Sequence, residues 1–107
     1  MISFDPPDLD ELQAKHGEDL RVVEDGDRLF VVARPEKPRV HVQRFTELGG
    51  NDKRKLEAFE GLARACCVYP DKDMLKRILD EEPGLAFELG NAAGELLGIR
   101  QLSVKKG

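Results

Sequence analysis

The sequence predicts an α+β domain, with an N-terminal β-hairpin packed on a cluster of about four short helices. Three observations predict it. Residues 20–34 hold two apolar-rich arms around Glu24-Asp25-Gly26-Asp27. Apolar residues recur at helical spacing from Leu56 to Cys67. Pro38, Pro70 and Pro83, with Gly17, Gly49-Gly50 and Gly98, cut the rest into short segments.

The first segment opens at Asp5-Pro6-Pro7-Asp8, with Leu9, Leu12 and His16 on one helical face and Gly17 as the stop. In the hairpin, Leu20, Val22 and Val23 form one arm and residues 29–33 the other. Asp25-Gly26 suits a type I′ turn, because Gly takes positive φ freely and Asp tolerates the left-handed region. Pro35 cannot donate to a ladder and ends the second strand.

After Pro38 the pattern is two-sided. Val40 and Val42 alternate as in a strand, while Val42, Phe45 and Leu48 follow helical spacing. Proline in a first helical turn favours the helix, which Gly49-Gly50 breaks. Asn51-Asp52 then caps the strongest helix. Its apolar stripe is Leu56, Phe59, Leu62, Ala63, Cys66 and Cys67, ending near Tyr69. A helix from Pro70 to Asp80 buries Met74, Leu75, Ile78 and Leu79. Another, from Pro83 to Leu97, buries Leu85, Leu89, Ala92 or Ala93, and Leu96. Residues 1–107 read as one domain, with a core over 20–98 and a basic tail over 99–107.

Composition narrows the function classes. Charged residues are 36% and aromatics 6% with no Trp, so aliphatic side chains must build the core. The net charge of −4 argues against a general nucleic-acid binder. The N-terminus has neither the basic nor the apolar region of a signal peptide, and no apolar run reaches membrane-spanning length. A reducing cytoplasm is expected, because the two cysteines are adjacent and cannot form an ordinary disulfide.

No candidate chemistry survives the spacing rules. Cys66 and Cys67 point about 100° apart on a helix, so their thiolates do not converge on one metal ion. Burial is the expected role of both. His16 and His41 have no partner at ligand spacing, and a Cys66–His41 or Cys67-based nucleophile has no local signature. Asp5, Asp8, Asp10, Asp71 and Asp73 lack the order of a calcium loop and read as helix caps. Gly90, Ala93 and Gly94 are read as a seat for a neighbouring helix. Arg34, Lys37, Arg39, His41 and Arg44 read as a solvated basic connector. No catalytic residue, metal or cofactor is expected.

The order of elements resembles the phage tail assembly chaperone family. The resemblance rests on Phe30-Val31-Val32-Ala33-Arg34-Pro35, Cys67-Val68-Tyr69-Pro70-Asp71, Pro83-Gly84-Leu85 and Leu97-Gly98, and covers roughly residues 20–98. It implies a non-enzymatic helper in the cytoplasm of a bacterial host. Such a helper binds the tape-measure protein and other tail proteins and tends to self-associate, with no nucleic acid or membrane partner. A holdase needs an apolar surface for its client. Val40, Val42 and Phe45 are the candidate partner-binding residues. The alternative is a small adaptor or regulatory domain that binds a folded protein through the hairpin edge.

Overall fold

A computed structural model describes residues 2–99. The basic tail expected over 99–107 lies outside the described residues, apart from Ile99. The class is α+β, with a three-stranded antiparallel sheet and five α-helices among those residues.

Helix α1 spans Leu9–His16 and buries none of its residues. Asp8 caps it, accepting a hydrogen bond from the Glu11 amide at 3.1 Å, and Gly17 leaves it with φ of 83°. The acidic run therefore works as a cap, opposing the positive end of the helix dipole.

Strands β1 (Leu20–Asp25) and β2 (Arg28–Ala33) form the predicted hairpin, with Leu20 opposite Ala33 and Val23 opposite Phe30. The turn differs from the expected type I′. Asp25 still pairs with Arg28, so Gly26 and Asp27 are the central residues. Gly26 has φ of 62°, and no other residue type in the described chain takes positive φ. Positive φ at the first central position alone is the pattern of a type II′ turn, which asks for Gly there.

The hairpin is not the whole sheet. Helix α3, over Lys55–Cys66, stops one residue before the expected stripe ends. Cys67–Tyr69 turn into a third strand, β3, antiparallel to β2 through Val31–Tyr69 and Val32–Cys67. A helical continuation would leave the outer edge of β2 unpaired, and buried backbone groups require partners. The strand order β1-β2-β3 makes β2 central. This accounts for the sequence of β2: Phe30, Val31 and Val32 are fully buried. The Tyr69–Pro70 peptide bond is cis.

Helix α2 runs over Pro38–Gly49 with proline in its first turn, so the helical reading of this stretch holds. Asn51 caps a single 3-10 turn, Asp52–Arg54, rather than α3 itself. Helix α4, Lys72–Glu81, starts later than Pro70 because Asp71 supplies the cap, accepting from the Met74 amide at 2.8 Å. Helix α5, Leu85–Leu96, starts after Pro83-Gly84 and ends before Gly98, whose φ is 78°.

The core joins one face of the sheet to α3, α4 and α5, through Phe30, Val32, Leu62, Ala63, Cys66, Cys67, Leu75, Ile78, Leu79, Leu85, Leu89 and Ala93. Leu56, expected in the apolar stripe, is 39% exposed, and Ala58 is buried instead. Helix α3 lies between α2 and α5. Helices α3 and α5 approach closely at Gly90. A Cβ built on Gly90 would sit 2.9 Å from the Phe59 carbonyl oxygen. Gly90 thus seats α3, whereas an added Cβ on Gly94 would meet Ile99 at 3.7 Å instead.

Candidate functional site

Three helices leave a cleft of about 360 Å³ between them. Helix α2 contributes His41, Arg44, Phe45 and Leu48. Helix α3 adds Ala58, Gly61, Leu62, Arg64 and Ala65, and α4 adds Lys72 and Leu75. The floor is apolar, since Leu62, Leu75 and Ala58 are core residues. Gly61 keeps the α3 wall low: an added Cβ there would meet nothing within 4 Å.

The charged lining is cationic. Arg44, Arg64 and Lys72 line the cleft beside His41, and none of its lining residues is a carboxylate. Arg64 reaches Glu60 at 3.6 Å, one turn back on its own helix. Arg44 and Lys72 make no salt bridge among the described residues. Asp71, next to Lys72, is engaged with the Met74 amide at the head of α4.

Phe45 stands at the border of this cleft and a second one, of about 490 Å³, lined by Phe59, Leu62, Gly90, Asn91, Gly94, Glu95 and Ile99. Its ring meets Phe59 edge-on at 5.2 Å, and Phe59 meets Phe87 at 5.1 Å. Three of the five phenylalanines therefore form a row from α2 across α3 to α5. Phe87 at its far end is 37% exposed. Edge-to-face contacts of this kind add roughly 0.5–1.5 kcal/mol beyond burial.

The three sequence-predicted partner residues do not form one patch. Phe45 lines both clefts and packs partly against the core. Val42, three residues back, is half-buried. Val40 is 51% exposed, and five residues along a helix place it about 140° around the axis from Phe45. The sequence reading missed Arg64, Lys72 and the phenylalanine row. The available signal was the i, i+3 and i, i+4 spacing of His41, Arg44, Phe45 and Leu48, which puts basic and apolar residues side by side.

The cysteines sit elsewhere. Both are free and buried. Burial pushes the Cys66 thiol up to about 11 and the Cys67 thiol up to about 12. Cys67 Sγ donates to the Tyr69 carbonyl at 3.3 Å, within its own strand. A thiol protonated at neutral pH is a poor nucleophile. Among the described residues no group of three His, Cys, Asp or Glu side chains is placed to hold a metal ion.

A family model described as a domain of unknown function, DUF6848, matches residues 12–106. The chain belongs to this family. The DUF6848 match spans the sheet and all the helices around the cleft. Among solved structures the chain is similar to an uncharacterised protein, rbstp2171, from Bacillus stearothermophilus. The two are 26% identical with a TM-score of 0.64, over 94% of this chain and 98% of that one. No curated protein matches the chain.

Proposed function

We propose that this protein is a non-enzymatic tail assembly chaperone of a phage or prophage, which holds the tape-measure protein in the cytoplasm of the bacterial host until the tail tube encloses it. The observation that carries the reading is the apolar-floored cleft with Phe45 on its border. It offers a helical client a surface to cover, and a holdase needs no more chemistry than that. The order of elements, from the Arg34-Pro35 strand end to the Leu97-Gly98 helix end, supports it. Of the three residues first assigned to the client, Phe45 is kept as the contact. Val42 supports it from the same side of α2, and Val40 serves as an outer contact.

Co-expression with the candidate tape-measure protein tests the reading. Its soluble fraction rises when this chain is present, and the two co-purify without added cofactor. Unchanged solubility with no recovered complex rejects the proposal.

A second reading is a small adaptor that pairs with a folded protein through the hairpin. It is favoured by the position of β1 at the sheet edge, where Val22 is 44% exposed. Edge strands accept added strands through their free backbone groups. Val22→Lys abolishes partner binding under this reading and leaves it intact under the first.

A further inference from the structure

The cleft between α2, α3 and α4 has the wrong charge for the protein that carries it. The chain is acidic overall, at −4. Yet the cleft presents Arg44, Arg64, Lys72 and His41 around an apolar floor and no carboxylate. Arg44 and Lys72, which make no salt bridge among the described residues, come from different helices, α2 and α4, and Arg64 is on α3 between them. Cations gathered on three helices with one of them, Arg64, loosely paired repel one another, at a cost that an anionic partner would relieve.

The neighbouring surface sets a boundary. The adjoining, more open hollow shares Arg44 and Arg64 with the cleft and adds Arg54, Glu47, Glu57 and Glu60, so its cations and carboxylates balance. An acidic segment is attracted over the cleft and gains no net attraction over that flank.

Backbone chemistry then selects the form of the partner. The cleft walls are three helices, with no strand contributing a lining residue. An extended peptide there would find no ladder for its N–H and C=O groups, whereas a helix satisfies its own. We infer that the cleft takes an acidic amphipathic helix of the client protein. Its apolar face enters against Phe45, Leu48, Leu62 and Leu75, and its flanking carboxylates meet Arg44, Arg64 and Lys72. This rests on the chaperone reading for the identity of the client and adds the chemical class of the segment that is recognised.

The test uses two synthetic helical peptides with the same leucine face, one flanked by glutamates and one by lysines, titrated onto the full chain by fluorescence anisotropy. The acidic peptide binds at least ~10-fold more tightly at low salt, and the gap closes as salt is raised. This preference runs against the net charge, so a diffuse field cannot produce it. Arg64→Glu with Lys72→Glu reverses the preference. Both side chains are exposed, so the fold and the melting temperature stay close to those of the parent. Equal affinity for the two peptides, a preference unchanged in the double variant, or no binding of either peptide overturns the inference. Co-expression decides the chaperone reading independently. A client that is solubilised equally by the parent and the double variant keeps that reading and removes the acidic helix.

Discussion

Arg28 and Glu82, 54 residues apart in sequence, meet as a two-bond guanidinium–carboxylate pair at 2.9 and 2.8 Å. Arg28 is 2% exposed at the far side of the hairpin turn. It also donates to Asp25 and, at 3.0 Å, to the Ile2 carbonyl, and its guanidinium carbon lies 5.4 Å from the centre of the Phe30 ring. The pair ties β2 to the end of α4 and draws the N-terminal segment over both.

Removing the arginine leaves these acceptors without their shared donor. Arg28→Met, which keeps much of the aliphatic stem, is expected to cost about 2 kcal/mol of stability, read from denaturant unfolding. The hydrogen bond from Arg28 holds the Glu82 carboxyl below the usual 4.5. A depressed carboxylate contributes stability that is complete above 4.5 and is lost as pH falls through its folded value. The gap in melting temperature between the parent and Glu82→Gln therefore narrows as pH drops below 4.5. A gap that stays constant down to the acid transition rejects this role for Glu82.

Two glycines on facing helices respond in opposite directions to the same substitution. At Gly90 an added Cβ meets the Phe59 carbonyl oxygen at 2.9 Å and its side chain at 2.7 Å. Backbone cannot rotate out of the way, so Gly90→Ala destabilises by about 1–3 kcal/mol despite the better helix propensity of alanine. At Gly61 the space is open. Gly61→Ala stabilises by up to about 1 kcal/mol, through propensity alone. Thermal unfolding of the two variants beside the parent checks the contrast.

The hairpin turn depends on one residue. Gly26 has φ of 62° with no neighbour within 4 Å of an added Cβ, so strain rather than crowding decides. Gly26→Ala lowers stability by about 1 kcal/mol, seen as a lower denaturant midpoint at constant slope. An unchanged midpoint counts against the turn.

The thiols should be silent in the native state. With Cys66 at about 11 and Cys67 at about 12, neither forms appreciable thiolate at pH 8. A thiol-specific reagent labels both cysteines in denaturant and neither in buffer over the same interval. Fast native labelling of Cys67 would reopen it as a reactive residue.

The sequence alone determined what nearest neighbours control. Asp8 and Asp71 cap their helices because a carboxylate three residues ahead of an amide finds it within the same turn. Gly17, Gly26 and Gly98 mark left-handed positions by lacking a Cβ. The hairpin and the place of Gly26 in its turn follow from the two apolar arms and the glycine between them, whereas the register, with Asp25 opposite Arg28, is not the one an Asp25-Gly26 turn would set. The burial of Cys66 and Leu62 follows from a period of 3.6.

What tertiary structure decided lies between residues distant in the chain. Cys67–Tyr69 become a strand because Val31 and Val32, on a central strand, need a partner there; as an isolated tripeptide they read equally well as the end of a helix. Arg28, which the hairpin pattern leaves unassigned between the turn and the second arm, is buried because Glu82 arrives at the end of α4 to neutralise it. The cleft exists only where α2, α3 and α4 fail to close. Its charge is the sum of Arg44, Arg64 and Lys72, each unremarkable in its own segment. Local propensity acts over a few residues, whereas pairing, desolvation and the shape of a gap depend on which surfaces the folded chain brings together.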